Sequence, residues 1–418
     1  MHFNELPAEI RLTIFRQATL KVSQYEDTSV DYRPFEAVAL RDRDWSSSAQ
    51  RALDVKMAVV LVCKEWKRIA TEMLYECIRI QHGTEALLTA LEGHLQDALF
   101  DNGRWVRRVE ISEKVLDFDP FNPQMVLRVL ERCPLVETVV RPCLYSAFSE
   151  LGPTLGKVRL EPGQVFPSFP SIKRIDWWSP GVTPGRGTYW NSNPEFFVEL
   201  VAHAPNLQYL TLSHRNQHSD YWSIISLHRT QNNLFVYPPY KSITTLRIEG
   251  KVENAFILAN AVLPNLKRLV LGGLYAQKQS IIKTLGHLVR HLEFLDFGVQ
   301  PDAFSPPPMS GFGTGHVFQS CPNLEEFCAP LSLGTTLLQE NTNVVLHNLR
   351  CIRIKMDSST LFTSPDFGYF IRDKLTSPEL ERICLCGKPE AWKENACYKV
   401  LEEIVAQRNL APLECYSA

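Results

Sequence analysis

Apolar and polar positions alternate in a phrase that recurs along most of the chain. The phrase has the form P-x-L-x-x-L-x-L, and its clearest copies are "PSIKRIDWW" at 170, "PNLQYLTLS" at 205, "PNLKRLVLG" at 264, "PNLEEFCAP" at 322 and "PELERICLC" at 378. Weaker copies begin at 104, 134, 154, 241, 290 and 347. Because the last apolar positions of each phrase alternate with polar ones, each phrase predicts a short β-strand with one buried face.

The spacing of the phrase predicts a repeat protein. From Leu207 to Leu380 its first apolar position recurs every 23 to 36 residues, with a mean of about 29, which is typical of leucine-rich repeats. Segments between phrases, such as "PQMVLRVLER" at 123 and "PEFFVELVAHA" at 194, carry apolar residues at helical spacing. Because one strand and one helix cannot bury their apolar faces alone, the units must stack.

We therefore predict an α/β fold in which a leucine-rich-repeat solenoid has parallel strands on its concave face and helices on its convex face. The alternative is a doubly wound α/β domain, which also alternates strands and helices. Such domains do not repeat one phrase at a nearly constant period, so the solenoid is favoured.

Two amphipathic helices are predicted before the first phrase. In "LPAEIRLTIFRQATL", residues 6–20, Ile10, Ile14 and Phe15 fall on one face. A similar apolar stripe runs through "VKMAVVLVCKEWKRIATEML", residues 55–74, with Lys and Glu residues outside it. Short helices of this kind bury too little surface to be stable without a partner or a neighbouring domain.

These two segments resemble a known family. "LPAEIRLTIF" followed by "LVCKEWKRIATEMLYECIRI" is similar to the F-box, in the split form common in fungal proteins with leucine-rich repeats. The resemblance covers residues 6–80. It implies a subunit of a Skp-cullin-F-box ubiquitin ligase, in which the F-box binds a Skp-type adaptor and, through it, a cullin. The positions that match the family pattern, and so are expected to contact the adaptor, are Leu6, Pro7, Ile10, Ile14, Phe15, Val62, Cys63, Trp66 and Ile69.

The predicted domains are an F-box-like helical domain over 1–80 and the solenoid over 81–418. Compact F-boxes have only a few residues between the two matching segments, whereas this chain has an insertion at about 21–54. Polar and charged residues dominate the insertion, which predicts a solvated loop.

Solenoids bind partners across their concave strands, so the outward positions of the phrases are the candidate substrate-binding residues. Arginine and aromatic residues are frequent at these positions, and both are common at protein interfaces. They predict an unknown protein substrate of acidic or phosphorylated character. The candidates are Arg174, Trp178, Tyr209, Thr211, Arg247, Arg268, Phe294 and Arg353.

Charge and hydropathy exclude several classes of partner. The net charge of -2 and the pI of about 6.6 give no overall basic field, so neither nucleic acid nor an anionic membrane is expected to bind. No apolar run approaches the roughly 20 residues of a membrane-spanning helix. The N-terminus has no basic segment followed by an apolar one, so we expect a location in the cytoplasm, the nucleus or both.

Catalytic chemistry has no candidate in the sequence. The 11 cysteines contain no C-x-x-C pair, so we expect them to pack as small apolar groups without disulfides or metal. His203, His214, His218 and Asp220 span a helix end, a strand end and a loop, which does not favour a metal site. With no nucleophile elbow, H-E-x-x-H or phosphate-binding loop, we predict no cofactor and no enzymatic activity.

The predicted function is therefore a non-catalytic, substrate-recruiting adaptor of a Skp-cullin-F-box ubiquitin ligase. The alternative is a stand-alone leucine-rich-repeat scaffold whose F-box-like helices only cap the solenoid. Because an open solenoid end needs a cover, the same apolar helices would serve that purpose too.

Overall fold

The computed structural model describes residues 5–20, 42–80, 84–92, 101–111, 123–141, 165–179, 194–214, 240–250, 263–271, 286–298, 314–341, 343–356 and 364–416. Internal contacts divide the chain into two compact units, Met1–Leu210 and Thr211–Ala418. The domain boundary predicted at residue 80 falls inside the first unit and stays a prediction. Within the described ranges, every helix is too short or too polar to cross a membrane.

The first unit begins with three helices, α1 (Ala8–Leu20), α2 (Asp42–Leu61) and α3 (Lys64–Tyr75). The single helix predicted over 55–74 is thus two helices. The break lies at Cys63, whose backbone is extended and whose Sγ accepts a hydrogen bond from the Trp66 N–H at 3.5 Å. A side chain that caps the first turn of a helix in this way favours a new start at that point.

The predicted loop over 21–54 is wrong for its last part, because residues 42–54 belong to α2. Residues 21–41 lie outside the described ranges. The polar composition of 42–54 favoured a loop. The helix is instead stabilised by packing: Ala52, Lys56 and Val60, spaced four residues apart, are buried on one side of α2. Helices in proteins are stabilised mainly by such packing and only weakly by their own composition.

The rest of the first unit alternates strands and helices, and its strands β1 to β4 pair in parallel in chain order. The unit boundary falls within β5. The elements are β1 (Cys77–Ile80), α4 (Thr84–Glu92), a 3-10 helix (Asn102–Trp105), β2 (Arg108–Ile111), α5 (Pro123–Glu131), β3 (Thr138–Arg141), β4 (Arg174–Ser179), α6 (Pro194–Ala202) and β5 (Tyr209–His214).

The second unit continues the alternation and also contains a small two-stranded parallel sheet formed by β10 and β12. The larger sheet of this unit has the order β6-β7-β8-β9-β11-β13-β14, again parallel. The elements are β6 (Thr245–Gly250), β7 (Arg268–Leu271), a 3-10 helix (Gly286–His291), β8 (Phe294–Phe297), α7 (Thr314–Ser320), β9 (Glu326–Pro330), a 3-10 helix (Leu331–Leu333), α8 (Gly334–Glu340), β10 (Val344–Val345), β11 (Cys351–Lys355), α9 (Asp366–Asp373), β12 (Leu375–Thr376), β13 (Arg382–Cys386), α10 (Pro389–Lys393), α11 (Ala396–Arg408) and β14 (Glu414–Tyr416).

A recurring backbone contact joins successive strands. The carbonyl oxygen of Arg107, just before β2, accepts the N–H groups of Glu137 and Thr138 at the start of β3, at 2.8 and 3.0 Å. The same double hydrogen bond recurs at the residue before each of eight other strands, namely at Glu76, Glu137, Lys173, Thr244, Lys267, Glu293, Glu325 and Arg350. The strands predicted from the phrases are confirmed wherever they are described, and the phrase at 154 lies outside those residues.

A second contact, between side chain and backbone, links the turns that precede the strands. The residue after the proline of a phrase donates from its side chain to a carbonyl oxygen in the segment before the neighbouring strand, so that a backbone group outside the strand pairing gains a hydrogen bond. The pairs are Ser171 to Pro134 at 2.6 Å, Asn206 to Pro170 at 2.8 Å, Asn265 to Lys241 at 2.6 Å and Asn323 to Arg290 at 3.0 Å.

The apolar core of each unit lies on the face of the strands that the leucines of the phrases occupy. In the first unit this face carries Val109, Val139 and Ile175, and in the second Leu269 and Leu295, all without solvent exposure. Within each unit the strand order follows the chain without the reversal that defines a doubly wound sheet. The chain is a mixed α/β protein with parallel strands.

Candidate protein-binding surfaces

The inner sides of the three N-terminal helices form a small core. Phe15, Val60, Ile69 and Met73 are buried in it, and the rings of Phe15 and Trp66 lie 4.8 Å apart. Phe15 and Ile69, which were predicted to contact an adaptor, instead pack the three helices together in this structure and are not accessible to a partner. An apolar stripe on a helix most often packs against the core of the same protein, and such a stripe has the same spacing as the family's adaptor-binding pattern.

Two ion pairs join α1 to α3. Arg11 Nη1 lies 2.8 Å from Glu65 Oε1, and Arg16 Nη2 lies 2.7 Å from Glu72 Oε1. The Arg11 side chain is almost fully buried, so this pair is less screened by water than an ordinary surface pair. The pairs hold α1 so that its opposite side is exposed.

Several large apolar side chains are exposed on α1 and α2. Ile10 and Ile14 lie one turn apart on α1, and Ile10 is 48% exposed. Leu53, Met57 and Leu61 follow one another at four-residue spacing on α2, and Leu61 is 74% exposed. Together with Val62, which is 59% exposed, we call these six the outer apolar residues. Exposed apolar groups that line up on a helix face are typical of interaction sites.

The remaining predicted adaptor contacts divide by exposure. Pro7 and Cys63 are exposed, whereas Leu6 and Trp66 are half-buried. Leu53, Met57 and Leu61 were missed by the sequence analysis, which assigned the first of them to a loop. Their four-residue spacing was the signal that could have identified them.

The outward positions of the strands differ from the prediction. Most of the candidate substrate-binding residues are buried, contrary to the expected solvent-facing surface: Arg174, Tyr209, Thr211, Arg247 and Phe294. Arg353 is half-buried and Arg268 is exposed. The side chain of Trp178 lies outside the described part of the chain.

In the first unit the buried charges are explained by pairing along the strands. Arg108 Nε lies 2.9 Å from Glu110 Oε1 on the same strand, and Arg79 Nε lies 3.3 Å from the other oxygen of that carboxylate. Arg174 Nε lies 2.7 Å from Asp176 Oδ2, and its guanidinium lies 5.0 Å from the centre of the Tyr209 ring. Because neighbouring strands are about 4.8 Å apart, these long side chains lie flat and cover one another.

The second unit contains a similar buried pair. Lys355 Nζ lies 2.9 and 2.7 Å from the two carboxylate oxygens of Asp296. Burial opposes the charged form of Lys355, but the charge of Asp296 outweighs that effect, so the pKa of Lys355 lies above its ordinary value. Arg353 Nε also lies 3.6 Å from Glu326 Oε2. Both pairs join charged side chains of different strands within the sheet.

The cysteines behave largely as small apolar groups. Cys351 and Cys384, on β11 and β13, are buried with their Sγ atoms 3.8 Å apart. Burial raises the pKa of Cys133 and of Cys321 to about 12, which keeps both thiols protonated at neutral pH. Cys63 departs from the prediction because it is exposed and caps α3.

No metal site is formed by the described residues: among them, no three His, Cys, Asp or Glu side chains come together as ligands. His203 Nδ1 donates a hydrogen bond to the Glu199 carbonyl oxygen at 2.9 Å. The side chains of His214, His218 and Asp220 lie outside the described part of the chain.

Comparisons with known proteins leave the family open. No family model matches the chain, and no curated protein matches it. A crystal structure of a Bacteroides fragilis protein, determined as a structural genomics target, covers 80% of this chain and 85% of that one at 13% identity. The TM-score is 0.35, and a similarity this weak supports no conclusion about fold or function.

Proposed function

We propose that the chain is a non-catalytic, substrate-recruiting adaptor of a Skp-cullin-F-box ubiquitin ligase. In this proposal residues 6–80 bind a Skp-type adaptor, and a leucine-rich-repeat solenoid binds a protein substrate. The observation that carries it is the exposure of the outer apolar residues on helices whose opposite sides form a closed core.

Two facts support a protein partner for this face. The sequence of α1 and of the Val62–Cys63 junction resembles the adaptor-binding pattern, and the residues of that pattern that remain exposed include Ile10, Ile14 and Val62. Burying a half-exposed Ile or Val contributes about 1 kcal/mol each. A monomer gains nothing from exposing them, whereas a complex gains that energy.

The repeated strands support the second half of the proposal. Leucine-rich-repeat solenoids stack one strand per repeat, and the recurring double hydrogen bond and the side-chain contacts between turns are what such stacking requires. Among the candidate substrate residues, Arg268 keeps its side chain exposed and is available to an acidic group of a substrate.

The alternative, a stand-alone scaffold with capping helices, is favoured by a different observation. Helix α3 packs against β1 and against the 3-10 helix Asn102–Trp105, as a helix that caps the first repeat would. A cap accounts for the buried side of α3 but not for the exposed apolar side of α1 and α2. The ligase role therefore requires the outer apolar residues to contact a partner, whereas the scaffold role does not.

The test compares two sets of exposed apolar substitutions in the full chain. The docking variant carries Ile10→Ser, Ile14→Ser and Val62→Ser, and the control carries Leu135→Ser and Val165→Ser at exposed positions outside the N-terminal helices. We expect the docking variant to lose about 3 kcal/mol of binding energy, or more than about 100-fold in affinity for the Skp-type adaptor. The control should bind as the parent does.

Both variants are first checked by circular dichroism. Because the substituted side chains are exposed, we expect the fold to be unchanged. Equal binding by parent, control and docking variant would show that α1 and α2 are not the docking face. Absence of binding by the folded parent would favour the scaffold.

A further inference from the structure

A cavity of about 490 Å³ lies within the second unit, away from the N-terminal helices. It forms where the turns that precede β11 and β13 meet the C-terminal ends of α9 and α11. Its walls include His347 from the first turn, Thr376 from β12, Lys374 after α9 and Arg408 at the end of α11. The volume falls within the range of about 300 to 1,000 Å³ that is usual for binding sites.

The polar part of the wall is cationic. Arg372 binds its neighbour Asp373 with two hydrogen bonds, at 2.8 and 3.2 Å, so these two charges largely cancel. Arg408 Nη2 donates to the carbonyl oxygens of Ile371 and Leu375, at 3.1 and 3.3 Å, and keeps its positive charge.

Lys374 differs from these arginines. Its ammonium group has no hydrogen bond or ion pair with any residue that the structure describes, and the side chain is partly exposed at the cavity wall. Three cations, Arg372, Lys374 and Arg408, line the cavity against the one carboxylate of Asp373, whose pKa is lowered by Arg372 and also by the charge of Lys374, so the cavity keeps a net positive charge. A group of the opposite charge would be stabilised there.

The apolar part of the wall lies beside these cations. Leu375 and Leu380 are buried, and Leu410 is half-buried. Outside the cavity, Val345 of β10 pairs in register with Thr376 of the wall and is 51% exposed. Val345 therefore provides exposed apolar surface next to the cavity wall, beyond the area that a small ion could cover.

We propose that this cavity binds a short acidic segment of a protein partner. A carboxylate of the segment pairs with Lys374, and a neighbouring apolar side chain contacts Leu410 and Val345. A peptide segment fits better than a small anion because the exposed apolar surface extends beyond the cavity. The cavity contains neither the outer apolar residues nor Arg268, which the proposed ligase role uses, so the two proposals can fail separately.

The experiment measures fluorescence anisotropy of labelled octapeptides with the full chain at low salt. One peptide carries Leu-Asp-Glu-Leu, the second Leu-Asn-Gln-Leu and the third Ala-Asp-Glu-Ala between the same flanking residues. We expect the first to bind with a Kd below about 1 mM and each of the others to bind at least about fivefold more weakly. Inorganic phosphate is added as a competitor to detect a site for free anions.

The matched variants are Lys374→Glu and Lys399→Glu. Lys399 is exposed on α11, nine residues and about 14 Å along the helix from Arg408. Lys374→Glu should weaken binding of the acidic peptide about tenfold, whereas Lys399→Glu should change it less than twofold. Both variants are compared with the parent by circular dichroism, and Lys374→Gln, which only removes the charge, should give an intermediate loss.

Three results would overturn the proposal. They are absence of binding by the acidic peptide, equal binding by all three peptides, and equal losses in the Lys374 and Lys399 variants. Displacement of the acidic peptide by phosphate at low millimolar concentration, with equal binding of the Ala-Asp-Glu-Ala peptide, would identify a free anion as the ligand instead.

Discussion

Replacing Lys355 by Met is predicted to destabilise the second unit by about 3 kcal/mol. Asp296 is 1% exposed and the Lys355 side chain 18% exposed, and the ammonium contacts both carboxylate oxygens. Removing one partner of a buried ion pair typically costs about 3 to 5 kcal/mol, because the other charge is left without compensation. The partial exposure of Lys355 places the expected cost at the lower end of that range.

The same geometry predicts that the two single substitutions are unequal. Asp296→Asn leaves a lysine whose ammonium can turn toward water through its exposed part, so its cost should be about 1 to 2 kcal/mol. The double variant contains neither charge and should be more stable than Lys355→Met alone. A coupling energy of at least about 1 kcal/mol is expected from the double-mutant cycle.

The assay is urea unfolding followed by circular dichroism at pH 7. The folded-state pKa of Lys355 is raised above its unfolded value, so the stabilisation is fully present below the ordinary lysine pKa of about 10.4 and is lost as the pH rises through the folded pKa. The difference between parent and variant should therefore be the same at pH 7 and pH 9. A cost below about 1 kcal/mol for Lys355→Met would refute the reasoning, since it would mean that the pair acts as an exposed one.

Three further predictions concern the repeats and the thiols. Asn265→Ala should cost about 1 kcal/mol in urea unfolding by removing a 2.6 Å hydrogen bond between turns, whereas Asn348→Ala, at an exposed position with no such bond among the described residues, should cost less than about 0.5 kcal/mol. Iodoacetamide at pH 8 should label Cys63 in the folded chain and spare Cys133 until urea is added, because Cys63 is exposed and burial raises the pKa of Cys133 to about 12. Labelling of both at equal rates would contradict the burial. Gly103→Ala should lower the melting temperature by several degrees, since its new methyl group would overlap a backbone carbonyl oxygen just after α5, and an unchanged melting temperature would argue against that close approach.

The strands could be predicted from the sequence because each one repeats the same period-two pattern. Ile175 and Leu269 occupy the alternating positions that one apolar face requires, and both are buried as expected. Helix α2 was not predicted over 42–54 because the polar composition of that segment favoured a solvated loop, and the apolar spacing that continues through Leu53, Met57 and Leu61 was not followed back into it. Its packing against α3 supplies the stability that its composition lacks.

The candidate binding residues were harder to predict because exposure depends on neighbouring strands. Arg174 and Arg247 occupy outward positions, but a strand next to each one lies about 4.8 Å away and covers its side chain. Phe15 and Ile69 matched a binding pattern that also describes a helix core, and the apolar contacts among the three helices bury both side chains in this structure. Single-sequence patterns fix the side of an element but not what covers it.

The most direct test of the proposed function is the stoichiometry of the parent chain with a purified Skp-type adaptor, measured by size-exclusion chromatography with light scattering at micromolar concentration. The account predicts a one-to-one complex whose mass is the sum of the two chains. Elution of the folded chain and the adaptor as separate species at that concentration would contradict the adaptor role and leave the N-terminal helices as a cap.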